Sequence, residues 1–89
     1  MADPWGVILE RDAEKMLGKL PRDLRDRIAR ELDGLAQDPR PTGCKRLRGY
    51  KDLWRLRVGD WRITYAIFDD KLIVLVIEIA ARGGAYKDL

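Results

Sequence analysis

The sequence predicts an α+β fold: a short N-terminal strand and an antiparallel two-helix hairpin, followed by a three- to four-stranded antiparallel β-meander with the helices packed on one face. Three patterns support this prediction. Apolar residues recur at helical spacing in residues 13–36, apolar and polar residues alternate strictly in residues 53–65, and residues 71–79 are apolar on both strand faces. The chain has 89 residues, which suits one domain spanning residues 1–89.

The first half of the chain predicts one strand and two helices. Trp5–Leu9 is a short apolar strand candidate, and the first helix begins at Glu10 and ends before Pro21. Its apolar stripe consists of Ala13, Met16, Leu17 and Leu20. The second helix begins between Pro21 and Asp23, because proline is tolerated in a first helical turn, and it ends at the proline-containing segment 38–43. Its apolar stripe consists of Leu24, Ile28, Leu32, Leu35 and Ala36.

Gly59-Asp60 joins two alternating strands, residues 53–58 and 61–68, and is a two-residue hairpin signal. The turn predicts four cross-strand pairs: Val58 with Trp61, Arg57 with Arg62, Leu56 with Ile63, and Arg55 with Thr64. One hairpin face is apolar and is expected to pack into the core: Trp54, Leu56, Val58, Trp61, Ile63 and Tyr65. The other face carries Arg55, Arg57 and Arg62. Like charges across a strand pair destabilise a sheet, so a fold that keeps three together is expected to bind an anion, with a phosphodiester as the leading candidate.

Two further strands complete the predicted meander. Lys45–Arg48 is a brief strand before the turn at residues 49–52, and Lys71–Ile79 follows a turn at Asp69-Asp70. The last strand is apolar on both faces, with Leu72, Val74 and Val76 on one and Ile73, Leu75 and Ile77 on the other. This pattern indicates an internal strand, and a three-residue turn before it would exchange the two sets.

One sheet face is expected to lack a cover, because residues 80–89 are too few to supply one. Its apolar side chains therefore predict a protein interface beside the arginines. An under-covered edge and a homodimer seam are the alternatives.

Positive charge is concentrated in one segment. The formal net charge is +3, and residues 40–65 hold eight basic side chains against two acidic ones, whereas the remainder is acidic overall. Such clustering indicates an electrostatic footprint for nucleic acid or for an acidic partner. The alternative is a solvated edge strand protected by its charge.

The composition excludes several kinds of chemistry. The chain has no histidine, which removes Ser-His triads and any histidine base for the single cysteine, Cys44. No carboxylate cluster has metal-ligand spacing, so neither a metal nor a cofactor is expected. The N-terminus lacks the apolar run of a signal peptide, and no segment is long enough to span a membrane. A soluble cytoplasmic protein without disulfides is therefore expected.

Four segments carry a resemblance to a known family: KRLRG at 45–49, LWRLR at 53–57, GDWRITY at 59–65 and ARGGAYK at 81–87. With these segments in this order of elements, the chain resembles the RelE/ParE toxin superfamily of bacterial and archaeal toxin–antitoxin systems. Arg82 and Tyr86 are similar to the C-terminal Arg-x-x-x-Tyr element of that superfamily. The resemblance covers essentially the whole chain.

The resemblance implies a RelE-type toxin, a ribosome-dependent and metal-independent mRNA endonuclease. In such members the 2′-hydroxyl of the RNA attacks the adjacent phosphate and leaves a 2′,3′-cyclic phosphate, and a cognate antitoxin neutralises the toxin. ParE-type members share the fold but inhibit DNA gyrase and lack the nuclease residues. A catalytically degenerate nucleic-acid-binding member is a further alternative. The RelE type is favoured because the strand arginines and the Arg82 and Tyr86 pair occur together.

The resemblance also implies residue roles. Arg62 would bind the scissile phosphate, Arg82 would stabilise the transition state or protonate the leaving oxygen, and Tyr86 would stack on a base or orient the 2′-hydroxyl. Their respective alternatives are an ion pair to Asp60 or Glu78, a solvated tail charge and a hydrophobic clasp. Weaker candidates for contacts to RNA phosphates, including rRNA, are Lys45, Arg46, Arg48 and Lys51. The antitoxin is expected to bind as a helix or strand across Ile73, Leu75 and Ile77.

Two departures from the RelE pattern affect the predicted catalysis. Arg55 and Arg57 stand where well-studied RelE-type members carry lysines, and Ala81 stands where many carry a histidine. A lysine can act as a base when its pKa is lowered, whereas arginine stays protonated in proteins. Arg55 and Arg57 are therefore expected to stabilise charge. Either the ribosome supplies the proton transfer, or the nuclease is slow, or the chain does not cut RNA.

Overall fold

The computed structural model describes residues 4–47, 49 and 52–81. These residues form two helices and five strands in the order β1 (Gly6–Leu9), α1 (Arg11–Lys19), α2 (Arg22–Gln37), β2 (Lys45–Arg46), β3 (Leu53–Val58), β4 (Trp61–Phe68) and β5 (Ile73–Ala81). The strands form one sheet in the order β1-β5-β4-β3-β2. β1 runs parallel to β5, and every other neighbouring pair is antiparallel. The predicted α+β class is confirmed, with β2 to β5 as a four-stranded meander and β1 added at its edge.

The two helices cover one face of the sheet. Leu20 and Pro21 separate them, and Asp12 and Glu14 in the first turn of α1 favour its start through the helix dipole. The buried side chains on the helical side are Ala13, Leu20, Ile28, Leu32, Leu35 and Ala36. They pack against buried sheet side chains: Leu56, Val58, Ile63, Tyr65, Ile67, Val74, Val76 and Ile79. Neither of these two helices is long and apolar enough to cross a membrane.

The β3–β4 hairpin has the predicted register. All four predicted cross-strand pairs are present: Val58 with Trp61, Arg57 with Arg62, Leu56 with Ile63, and Arg55 with Thr64. Gly59 has a φ of 60° and Asp60 has no positive φ, which fits a type II′ turn with glycine at its first central position. The predicted core face packs on the helices, with Trp54 and Trp61 only partly buried there.

β5 begins later than predicted. Phe68 pairs with Ile73, so residues 69–72 form a four-residue turn instead of a two-residue turn. Leu72, the last residue of this turn, has a φ of 53°, in the left-handed region. Turns of two and four residues leave the side-chain alternation unchanged. The two predicted apolar sets of the last strand therefore keep their faces up to Val76.

A β-bulge then interrupts the alternation of β5. Across the step between Thr64 and Tyr65, the pairing skips Ile77 and continues at Glu78. Continued alternation would have turned Glu78 toward the core. The extra residue instead leaves Glu78 exposed and buries Ile79, which is 2% exposed.

Tyr65 connects the sheet to the segment that follows α2. Its side chain is fully buried, and its hydroxyl donates a 2.8 Å hydrogen bond to the carbonyl oxygen of Pro39. Burial raises the pKa of the Tyr65 phenol well above its usual value, because the phenolate would lose its hydration. The hydrogen bond therefore satisfies a buried polar group and fixes the start of the α2–β2 connection.

Candidate nucleic-acid interface

The sheet face opposite the helices, which we call the second face, divides into a basic end and an apolar end. The pairing of β2 to β5 aligns Lys45, Arg55, Thr64 and Glu78 in one row across the sheet. The adjacent row contains Arg57, Arg62 and Ala80. These two rows form the basic end. The apolar end contains Ile8, Leu53, Ala66, Phe68, Ile73 and Leu75.

Three arginines surround a small cavity at the basic end. Arg57 and Arg62 lie directly opposite each other, and Arg55 lies on the same face of β3 as Arg57. Together with Trp61 they line a cavity of about 100 Å³. Pockets that enclose drug-sized ligands measure roughly 300–1,000 Å³. The cavity therefore suits one anionic group and not an enclosed nucleotide.

Arg55, Arg57 and Arg62 are unpaired among the residues that the structure describes. In the part of the chain that the structure describes, none of them makes an ion pair or a side-chain hydrogen bond. Neighbouring guanidinium groups without partners repel one another and raise the local positive potential. A phosphate that accepted hydrogen bonds from two of them would replace this repulsion with charge-assisted hydrogen bonds. The structure thus brings Arg55, Arg57 and Arg62 together on one face, as the alternation pattern predicts.

The core fixes the register that gathers the arginines. Leu56 and Ile63, which are 5% and 0% exposed, form a cross-strand pair on the helix side. A slip by one residue would move this pair out of the core and turn the arginines into it. The turn at Gly59 excludes such a slip, because its two-residue length sets the pairing of both strands.

The four weaker candidates for RNA contacts are not all on this surface. Lys45 pairs with Arg55 and extends the basic end. Arg46 pairs with Trp54 and therefore lies on the helix side of the sheet. Arg48 and Lys51 lie outside the described residues, as do the proposed catalytic residues Arg82 and Tyr86.

Arg40 belongs to the basic segment of the sequence but is paired in the structure. Its Nη1 and Nη2 atoms donate hydrogen bonds of 3.2 Å and 2.9 Å to the two carboxylate oxygens of Asp69. Its guanidinium also lies 5.1 Å from the ring centroid of Trp54. These hydrogen bonds raise the pKa of Arg40 and lower the pKa of Asp69. Arg40 therefore connects the α2–β2 segment to the β4–β5 turn and adds no free charge to the basic end.

Trp61 lies both at the core and at the arginine cavity, and the alternation pattern predicts only the first. The pattern assigns it to the core, where it packs, but Trp61 is also one of the residues that line the arginine cavity. The available signal is its place directly after the hairpin turn, at the start of β4 and next to Arg62. An aromatic side chain beside cations can stack on an unpaired base.

The proposed antitoxin-binding residues lie toward the other end of the second face. Ile73 and Leu75 are half-buried at the apolar end, and Ile77 lies at the bulge between the two ends. Ile8 of β1 pairs with Leu75 and is 50% exposed, so the edge strand enlarges this surface. Neither α1 nor α2 packs on it, because both lie against the opposite face.

A helical hairpin on one sheet face and a cluster of three arginines on the other define a small α+β protein with a cationic surface. A sequence profile described as the ParE toxin of type II toxin–antitoxin system, parDE, matches residues 7–86. The chain therefore belongs to the RelE/ParE superfamily of type II toxin–antitoxin toxins, as its motifs predict.

Named relatives place the chain on the RelE side of this superfamily. It is 32% identical over 66 residues to the mRNA interferase toxin RelE of Escherichia coli, covering 72% of this chain and 68% of that protein. It is 29% identical over 87 residues to a Methanocaldococcus jannaschii protein named as a RelE1 toxin, covering 94% and 97%. Its fold matches the archaeal RelE–RelB complex from Pyrococcus horikoshii OT3 with a TM-score of 0.82 at 26% identity, covering 92% of this chain and 99% of that one.

Proposed function

We propose that this type II toxin is a ribosome-dependent, metal-independent mRNA endonuclease. The observation that carries the proposal is the basic end, where Arg55, Arg57 and Arg62 line a cavity and make no ion pair with a residue that the structure describes. The name of the Escherichia coli relative, mRNA interferase toxin RelE, supports the same activity.

The proposed reaction uses the RNA as its own nucleophile. The 2′-oxygen forms a bond to the adjacent phosphorus, and the bond between that phosphorus and the 5′-oxygen of the next nucleotide breaks. The 2′-hydroxyl proton passes to an acceptor, and the departing 5′-oxygen takes a proton. The products are a 2′,3′-cyclic phosphate and a 5′-hydroxyl. Negative charge builds on the non-bridging oxygens between these events, and charge-assisted hydrogen bonds lower the energy of that state.

The arginines fit the charge-stabilising part of this reaction. Arg57 and Arg62 face each other across the strands and would bind the non-bridging oxygens, with Arg55 adding a third positive charge. None of the three can accept the 2′-hydroxyl proton, because arginine stays protonated. We therefore assign that step to the ribosome. Arg82 would protonate the leaving oxygen or stabilise the transition state, and Tyr86 would stack on a base or orient the 2′-hydroxyl.

A protein antitoxin is the proposed partner of the second face. The Pyrococcus horikoshii relative was crystallised as a complex of RelE with RelB. In this chain, an antitoxin helix or strand lying across Ile73, Leu75 and Ile77 would bury apolar surface that the helices leave uncovered. Because the apolar end adjoins the basic end, the same segment would also block access of RNA to the arginines.

Inhibition of DNA gyrase without RNA cleavage is the second candidate function. One specific observation favours it, namely that the matching sequence profile is that of the ParE toxin. The absence of a lysine at positions 55 and 57 agrees with it as well. Under this alternative the basic end is a binding surface only.

Toeprinting in a cell-free translation system tests the proposed activity. Purified protein should create new mRNA ends on translating ribosomes and none on the same mRNA without ribosomes. Arg62→Ala should slow cleavage by about 100-fold or more, because it removes a charge-assisted donor from the transition state. The matched control is Arg30→Ala, an exposed arginine of α2, which should cleave at the wild-type rate.

Full cleavage by Arg62→Ala would refute the role given to the basic end. If folded wild-type protein yields no cleavage in either tube but inhibits gyrase supercoiling, the second candidate replaces the first. Growth arrest that survives both Arg62→Ala and Arg82→Ala would likewise contradict the nuclease mechanism.

A further inference from the structure

Arg27 of α2 reaches the turn of the β3–β4 hairpin. A Cβ atom placed on Gly59 would lie 3.2 Å from Nη1, 3.5 Å from Nη2 and 3.6 Å from Cζ of Arg27. Contacts as short as 3.2 Å are tighter than ordinary van der Waals packing. The guanidinium therefore lies close over Gly59, and a side chain at residue 59 would displace it by a few tenths of an ångström.

The charge of Arg27 has no partner among the residues placed by the structure. Asp23 and Glu31 lie four residues before and after it, which is the spacing of helical ion pairs. Arg27 nevertheless makes no ion pair or hydrogen bond with either of them or with any other described residue. Its side chain is exposed, so the guanidinium is available to an anion from solution.

Arg27 and the basic end lie next to the same hairpin turn. Arg57 and Arg62 flank this turn on the second face, whereas Arg27 contacts the same turn from the helix side. The tip of the hairpin therefore has arginines on both sides of the sheet, and the turn itself carries the exposed residue Asp60. A single RNA strand carries one phosphate per nucleotide and can follow such a path around a narrow tip.

We propose that Arg27 binds a second RNA phosphate, beyond the one held by Arg57 and Arg62, and so positions the strand at the basic end. This inference rests on the proposed function and adds a contact on the helix side of the sheet. Because a phosphate contact carries no sequence information, Arg27 would raise affinity for every RNA sequence equally. Arg27 is a positioning residue and takes no part in bond breaking.

The salt dependence of RNA binding tests this inference. The probe is a short single-stranded RNA with 2′-O-methyl groups, which lacks the attacking hydroxyl and stays uncut. It is used free and as the mRNA on programmed ribosomes. The variants are Arg27→Met, which removes the charge but keeps most of the side-chain length, and Arg27→Lys, which retains the charge. Arg30→Met is the control, because Arg30 lies on the same helix beside Asp23, Asp26 and Asp33.

Loss of one phosphate contact should reduce the slope of log affinity against log salt by about 0.7 for a single strand. The ratio of the RNA affinity of wild type to that of Arg27→Met should then fall roughly 2.6-fold between about 50 and 200 mM salt. Arg27→Lys should retain most of the wild-type slope, and Arg30→Met should retain all of it. Thermal melting of each variant checks that the fold is intact.

Each outcome has a distinct meaning. A reduced slope on both probes supports contact with the mRNA strand, whereas a reduced slope on ribosomes alone overturns that contact, because the phosphate then belongs to rRNA. If Arg57→Met lowers the slope while Arg27→Met matches Arg30→Met, the role of Arg27 is overturned and the proposed function stands. If wild-type protein binds neither probe, the proposed function fails and this inference fails with it.

Discussion

The choice of arginine at positions 55, 57 and 62 determines which chemistry this surface can support. A guanidinium presents several donors in one plane and stays charged at every physiological pH, so it matches the oxygens of a phosphate. A lysine at the same position could lose its proton and act as a base, which an arginine cannot do. Three arginines around one cavity therefore favour binding and charge stabilisation over proton transfer.

Tyr65 supports a prediction about stability at the residue scale. Tyr65→Phe leaves the buried carbonyl of Pro39 without its donor, and it should lower the free energy of unfolding by about 1–3 kcal/mol. Urea denaturation at neutral pH measures this loss.

The phenol of Tyr65 also predicts a pH dependence. Its pKa is raised in the folded state, so the unfolded chain loses this proton first as the pH rises. The contribution of the protonated Tyr65 phenol to the free energy of unfolding is fully present below the usual tyrosine pKa of about 10 and declines above it. Wild type should therefore lose stability more steeply than Tyr65→Phe in alkaline solution. Parallel curves for the two proteins above about pH 10 would contradict the raised pKa.

At the scale of elements, the sequence predicted the helices and the β3–β4 hairpin, because short-range residue patterns determine them. The alternation of residues 53–65 and the glycine at position 59 are enough to specify the hairpin, and both helices follow from their apolar stripes. The four-residue turn before β5 carries no such signal, because Leu72 adopts a left-handed φ where glycine or asparagine is usual. The bulge at Ile77 depends on its pairing with β4.

Contacts between distant segments were also beyond single-sequence reasoning. Arg40 pairs with Asp69, and Arg27 contacts Gly59, although the partners in each case are far apart in the chain. Charge and composition place Arg40 with the other basic residues of the segment. Only the packing of the α2–β2 connection against the β4–β5 turn reveals that its charge is already compensated. The parallel pairing of β1 with β5 likewise depends on the tertiary fold.

Glycine substitutions provide a prediction at the same scale. Gly59→Ala should lower the free energy of unfolding by about 1–2 kcal/mol, because an L-residue is strained at a φ of 60°. Gly34→Ala in α2 should raise it by about 0.4–1 kcal/mol, because alanine restricts the unfolded chain and favours helix. A Cβ on Gly34 meets no atom within 4 Å, so no clash offsets that gain. Equal effects of the two substitutions in thermal denaturation would refute the II′ turn.

At the scale of the whole molecule, the sheet separates the hydrophobic core from the proposed binding surface. One face packs on the helices and contributes the core, while the second face carries the arginines and the partly exposed apolar side chains. A change on the second face can therefore alter binding with little effect on the fold. The close spacing of the basic and apolar ends also explains how one antitoxin segment could cover both.

Leu75 provides the test of this separation. Leu75→Gln keeps the net charge and removes apolar contact from the centre of the apolar end, where Leu75 pairs with Ala66 and Ile8. A cognate antitoxin that binds the apolar end should then inhibit about tenfold less well, since burial of one aliphatic side chain is worth about 1.5–3 kcal/mol. Inhibitor titrations of ribosome-dependent cleavage measure the change. Leu72→Gln is the control, because Leu72 is similarly apolar and 49% exposed but lies in the turn outside the apolar end. Both variants should cleave at the wild-type rate without antitoxin, and equal inhibition of both would show that the antitoxin binds elsewhere.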